Sequence, residues 1–151
     1  MATPRVDFYV LASADTAARL RFACRLVEKA WLQENRIRVQ FDAGGDSAAF
    51  DDLLWTFADR SFVPHERLAA SGKPSGLAAP VVIADGDAGG ADDRDLLVNL
   101  AGGVPAQYQR YTRIAEVVDA DDRRRELGRD RFRFYREQGI EPQTHQMGEH
   151  S

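Results

Sequence analysis

Runs of β-favouring residues alternate with amphipathic helical segments along this chain, and that alternation excludes most architectures. Parallel strands cannot be joined by a tight turn; they need a crossover of about a dozen residues or more, which an amphipathic helix supplies. Residues 6–11 (VDFYVL) read as a first strand with no break in β-favouring residues. Ser13 and Asp15 are candidate caps for a helix over 16–33, whose apolar face is Leu20, Cys24, Val27 and Trp31. Residues 36–41 then alternate, with Ile37, Val39 and Phe41 on one side and Arg36, Arg38 and Gln40 on the other, as in a strand with one wet face near a sheet edge. A glycine-rich turn at 43–46 precedes a short helix capped by Asp46 or Ser47, with Phe50, Leu53, Leu54 and Phe57 as its buried stripe. Trp55 falls off that stripe, either at the rim of a pocket or at the edge of the core.

The second half continues the pattern. Residues 60–80 read as irregular, and a stretch of that length is functional or mobile in most compact domains. The apolar run 81–83 (VVI) suits a central strand, 85–95 a flexible acidic turn, and 96–100 (LLVNL) another strand. Tyr108 and Tyr111 sit in a short helical connection over 105–113, followed by a last strand over 114–118. A helix spans 121–139, closed by Gly139. These elements predict an α/β fold with a Rossmann-like arrangement: one three-layer domain over 1–139, helices on both faces, and a mixed, largely parallel sheet of about five strands. Absence of a helical pattern between 81–83 and 96–100 allows an antiparallel hairpin there. Residues 140–151 read as a loosely ordered tail.

The last helix is unusual. At about 100° per residue, Arg125, Arg129, Phe132, Arg133 and Arg136 fall on one face, and Leu127, Phe134 and Tyr135 on the opposite, core-facing side. Like charges at this spacing cost roughly a few tenths of a kcal/mol per pair. An anionic partner offsets that cost, whereas a plain solvated face does not require an aromatic in its middle. The chain as a whole carries a net charge of −4, so broad electrostatic binding of nucleic acid is disfavoured. The basic face is a local feature on an acidic protein.

Other signs of chemistry fail on spacing. SGKPS at 71–75 lacks the phosphate-loop pattern, since Arg67 stands where the first glycine is needed and Pro74 where Ser or Thr is needed. The acidic run at 85–93 has the wrong ligand order for a calcium loop and lacks its closing glutamate. His65 with Asp59 or Asp52 has no paired nucleophile nearby and reads as a loop histidine bonded to backbone. Cys24, the single cysteine, reads as a small core residue. No spacing of the three histidines builds a metal site. The N-terminal residues show no long apolar run of the signal-peptide or membrane-span kind. No enzyme activity, cofactor, metal or membrane association is expected, and a cytoplasmic location is.

From LLWTFADRSFVPH (53–65) onward the chain resembles the chi subunit of bacterial DNA polymerase III. VDFYVL is similar to that family's first strand, and Trp31 closes the first long helix as expected there. APVVIADG (79–86), DLLVNLAG (95–102), RIAEVVD (113–119) and GRDRFRFYREQG (128–139) follow in the family's order. The resemblance covers nearly the whole chain, and SFVPH together with RFRFYR is its specific part.

What the resemblance implies is a non-catalytic replisome adaptor. Chi proteins link the clamp loader, through the psi subunit, to single-stranded DNA-binding protein, and hold the latter by an acidic C-terminal tail ending in Pro-Phe. Arg125, Arg129, Phe132 and Arg133 fall at the family's tail-binding positions, with Phe132 and Arg133 where some members carry Tyr and Lys. Arg129 suits a bidentate contact with a carboxylate, Arg125 and Arg133 attract the upstream aspartates, and Phe132 packs on the terminal aromatic. The link ADDRRREL (120–127) is shorter and more acidic than in some members, which leaves Leu127 or Val118 to supply the apolar wall. A partner-contact loop is expected at Trp55, Phe62, Val63, Pro64 and His65, serving either partner or only bracing the fold with Phe62 and Val63 as core anchors. Psi or an equivalent joins the chain to the replisome, and DNA is met only indirectly. The alternative reading is a module that binds single-stranded nucleic acid directly with the same helix face.

Overall fold

In the computed structural model, which describes residues 3–42, 45–57, 62–68, 79–86 and 95–147, strands and helices follow one another as β1 (Arg5–Leu11), α1 (Thr16–Leu32), β2 (Ile37–Phe41), α2 (Ser47–Thr56), β3 (His65–Leu68), β4 (Val81–Asp85), β5 (Leu96–Asn99), a 3-10 turn (Tyr108–Arg110), β6 (Arg113–Val118), α3 (Asp122–Glu137) and β7 (Gln143–Met147). The strands form one sheet in the order β3-β4-β2-β5-β6-β1-β7. Every pairing among them is parallel. The glycine–lysine segment 71–75, Asp59 and most of the acidic run 85–93 lie outside the described residues.

The α/β class is as expected, with a single sheet between helical layers. Its details differ from the sequence reading in three ways. The sheet has seven strands rather than about five. The antiparallel hairpin between 81–83 and 96–100 does not form: β4 and β5 flank β2 on its two sides, Ile37 pairing with Val81 and with Leu96. β2 is therefore central, not near an edge, and its polar residues Arg38 and Gln40 are buried. They are tolerated because they satisfy each other. Arg38 Nε donates to Gln40 Oε1 at 2.9 Å, and the Gln40 amide donates to Phe41 O at 3.0 Å and to Gly86 O.

The two added strands sit at the two edges. β3 lies inside the stretch read as irregular and pairs with β4 from His65↔Val81 to Leu68↔Ala84. β7 lies inside the segment read as a loose tail and pairs with β1 from Asp7↔Gln143 to Leu11↔Met147.

Side-chain alternation along the strands sends apolar groups to both faces. On one face Leu20, Cys24 and Val27 of α1 and Phe50 and Leu54 of α2 pack on Val39, Ile83, Val98 and Val117. On the other, Tyr108 and the α3 residue Tyr135 pack on Val6, Phe8, Leu97, Ile114 and Val118. α1 starts at Asp15, whose carboxylate accepts from Ala17 N at 3.1 Å. Cys24 is fully buried, and burial pushes its thiol up to about 12, as befits a core residue rather than a nucleophile.

Candidate functional site

The position of α3 is set by one acid in an apolar strand. Glu116 lies in the middle of β6 with no exposed surface. Its Oε1 accepts from Arg131 Nε at 2.8 Å, its Oε2 from the Tyr135 hydroxyl at 2.7 Å, and both oxygens from Asn99 Nδ2 at 3.0 Å. Arg131 Nη1 also donates to Gly102 O at 2.9 Å. Burial first, and then the Glu116 carboxylate, push the Tyr135 hydroxyl far above its ordinary range, so it keeps its proton and donates. Two residues of α3, one turn apart, are thus held by a single carboxylate, and the helix cannot roll.

The same contact needs a glycine. A Cβ on Gly128 would stand 3.0 Å from Val118 Cγ2. Glycine inside a helix costs roughly 1 kcal/mol relative to alanine, and here it allows α3 to approach β6. The acids that precede the helix also act locally. Asp121 accepts from Arg124 N at 2.9 Å as the N-cap, and Asp119 binds the Arg124 guanidinium at 2.8 and 2.7 Å. After the helix, Gly139 takes a positive φ of 83° and buried Ile140 donates to Tyr135 O at 3.0 Å.

The inner stripe of α3 is therefore Gly128, Arg131 and Tyr135. Leu127 and Phe134, expected on that stripe, are only half-buried and line a separate groove with Val104, Pro105 and Tyr108. Arg131 was not singled out by the sequence reading. The available signal was Glu116 within IAEVV, since a lone acid in a buried strand requires a cationic or donor partner.

With that phase fixed, Arg125, Arg129 and Phe132 line a cleft of about 430 Å³ beside the sheet. Its other walls are Phe8 and Val10 of β1, Val118 of β6, and Thr144 and Gln146 of β7. Arg125 and Arg129 are exposed, while Phe132 is half-buried with its ring tilted on Phe8 at 5.3 Å between centroids. Val118 lies in the apolar wall and Leu127 does not. Arg133 stands outside the cleft. It lies about 80° further round the helix than Arg125, where its guanidinium is 3.6 Å from Asp130 in an exposed pair.

The β7 wall is pinned through Asp7, which is fully buried. His145 Nε2 lies 2.9 Å from Asp7 Oδ1, and Arg113 Nε donates to Asp7 Oδ2 at 3.1 Å. The His145 ring also stacks on Tyr9 at 5.0 Å. Burial alone would raise the Asp7 carboxyl, but the His145 hydrogen bond and the Arg113 and Arg5 charges together hold it below its ordinary value.

The residues expected as a partner-contact loop separate into two groups. Val63 is fully buried and anchors the segment, whereas Phe62 is 71% and Trp55 49% exposed. Pro64 is exposed too. His65 lies under Trp55 at 4.2 Å, its Nδ1 2.6 Å from Val63 O. Its Nε2 is 3.0 Å from Asp51 Oδ1 without hydrogen-bond alignment, so of the described acids the one beside it is Asp51 rather than Asp52. This aromatic patch sits by the β3 edge and the cleft by the β7 edge, roughly 30 Å apart at the usual strand spacing.

Among the described residues no group of His, Cys, Asp and Glu is placed to hold a metal ion, and no helix is long and apolar enough to cross a membrane. The fold and cleft define a doubly wound parallel α/β protein with a shallow, arginine-rimmed groove between its last helix and the sheet. The chain belongs to the family described as DNA polymerase III chi subunit, HolC, whose model matches residues 3–143. It is 40% identical to the DNA polymerase III subunit chi of Pseudomonas aeruginosa over 143 residues, covering 95% of this chain and 96% of that one. The proteins of the same name from Haemophilus influenzae and Escherichia coli are 27% identical over 142 residues (94% of this chain, 96% of theirs) and 28% over 141 (91% and 94%).

Proposed function

We propose that this replication accessory subunit is a non-catalytic adaptor. Its α3 cleft holds the acidic C-terminal tail of single-stranded DNA-binding protein, and a second surface ties it to the clamp loader through psi or an equivalent. The observation that carries this reading is the pairing of two exposed guanidiniums, Arg125 and Arg129, with a half-buried Phe132 in one cleft. A peptide ending in an aromatic side chain and a free carboxylate matches that pairing. The carboxylate takes a bidentate contact from Arg129, the aromatic ring packs among Phe132, Val10 and Val118, and upstream acids face Arg125. Arg133 contributes at longer range only. The exposed Trp55, Phe62 and Pro64 form the second surface, with Val63 and His65 supporting them from below.

The test is fluorescence anisotropy with a labelled acidic peptide ending in Pro-Phe. Binding should weaken with added salt, fall on Arg129→Ala, and vanish when the terminal Phe is removed. Unchanged affinity in the Arg129→Ala protein would remove the site. Direct recognition of single-stranded nucleic acid by the same face is the competing reading. It is opposed by the net charge of −4 and by the Phe132 ring being engaged with Phe8. Tight binding of an oligonucleotide by the isolated protein would reverse that preference.

A further inference from the structure

The β7 edge of the sheet carries a second groove, on the face opposite the α3 cleft. Successive residues of β1 and β7 divide between the two: Phe8, Val10, Thr144 and Gln146 line the cleft, whereas Tyr9 and Met147 line the groove. α1 supplies the other wall with Arg25, Leu26 and Lys29, and the space measures about 220 Å³. Its floor is apolar. The Tyr9 ring tilts on the buried Phe22 ring at 5.6 Å between centroids, and Leu26 and Met147 pack on the same core.

The charges around this groove do not balance. Arg25, Lys29 and Arg113 line it, and none of its lining residues is acidic. Arg113 is held by the buried Asp7, a single carboxylate that also faces Arg5 and His145. Arg25 and Lys29 are exposed, and among the described residues neither has a carboxylate within ion-pair distance. Glu28 falls about 60° further round α1 than Arg25, on the side away from Leu26. Two cations four residues apart on one helix face repel each other, as Arg125 and Arg129 do on α3. On a chain of net charge −4 they make a second local basic face, again beside an apolar surface.

We propose that this groove docks an acidic segment of a protein partner, in extended conformation. Two of its carboxylates meet Arg25 and Lys29, and an apolar side chain settles on the floor between Leu26 and Met147. The spacing suits such a segment. Residues four apart on a helix are separated by about 6 Å along its axis, and alternate residues of an extended chain by about 6.6 Å. Acids at alternate positions therefore meet the two cations in register. Side-chain carboxylates make this match, so the segment needs no free terminus, which separates the groove from the proposed peptide site on α3. A single-stranded nucleic acid also presents spaced anions. It is opposed by the net charge and by the Tyr9 ring, which is already stacked on His145 at 5.0 Å and in contact with Phe22.

The experiment titrates the full chain with a peptide of alternating Glu and Leu, acetylated and amidated at its ends, and follows the Met147 methyl group by carbon-13 NMR. The methyl resonance should shift saturably, and a peptide of alternating Lys and Leu should leave it in place. Affinity, read by anisotropy of the labelled Glu-Leu peptide, should weaken with salt and fall about tenfold or more in the Arg25→Glu, Lys29→Glu variant. No saturable shift at Met147, or wild-type affinity in that variant, would overturn the proposal. So would a loss confined to Arg129→Ala, which would place the peptide in the α3 cleft. A stronger response to oligothymidylate than to the peptide would assign the groove to nucleic acid instead, and a Met147 shift on diluting the free chain would assign it to a second copy. Both substituted side chains are exposed, and should the variant still fail to fold, the wild-type Met147 resonance decides alone.

Discussion

Glu116 and Arg131, joined at 2.8 Å and both almost fully excluded from water, determine which side of α3 faces the sheet. Removing one partner of such a pair leaves the other charge buried and unmatched. Glu116→Gln should destabilise the fold by about 3–5 kcal/mol, and Tyr135→Phe by about 1.5–3 kcal/mol, since one hydrogen bond to a buried carboxylate is lost. Urea denaturation of the two variants checks both values and their order.

Gly128→Ala pits helix propensity against space. Alanine gains roughly 1 kcal/mol of propensity, but overpacking against a core side chain costs about 1–3 kcal/mol. The 3.0 Å approach to Val118 Cγ2 makes the clash the larger effect. The single variant should be less stable than the wild type, and the Gly128→Ala, Val118→Ala double variant should recover part of the loss. A thermodynamic cycle measures the coupling.

Asp7 links stability to acid pH. Its carboxyl is held below the ordinary carboxylate value in the folded protein, so the folded state favours the ionised form. That contribution is fully present above the unfolded pKa of about 3.9 and is lost as pH falls through the lower folded value. Denaturant midpoints measured from about pH 5 down to pH 2 should fall more steeply for the wild type than for Asp7→Asn. Hydrogen exchange in β7 should quicken in that variant, because His145 loses its anionic partner.

The arginines of α3 should not be equivalent in peptide binding. Arg129→Ala should cost about 1.5–3 kcal/mol, as for a hydrogen bond to a charged group, and Arg133→Ala less than about 1 kcal/mol, as for an exposed charge. Anisotropy titrations of the two variants test this. Equal losses would place the ligand further round the helix than the cleft.

Elements with strong periodicity were legible in the sequence. The three helical segments, the apolar strands and the closing Gly139 all follow from spacing and composition. The strands HERL and QTHQM were not, because neither carries a β-branched apolar run, and parallel pairing to β4 and β1 decides their conformation. Arg38 and Gln40 were read as a wet face, since sequence alone does not reveal that two polar side chains satisfy each other in a sheet centre. For the cleft, Arg125, Arg129 and Phe132 were found by helical spacing. Phe8, Val10, Thr144 and Gln146 were not, because β1 and β7 meet α3 only through long-range topology.

That topology also orders events during synthesis. β1 is made before both its neighbours in the sheet, since β6 and β7 follow it by more than a hundred residues. β1 must wait, unpaired on both edges, until β6 and β7 have been translated. A product released before Gln143 would lack one wall of the cleft. Chains terminated before β7 are therefore excluded from the proposed peptide binding.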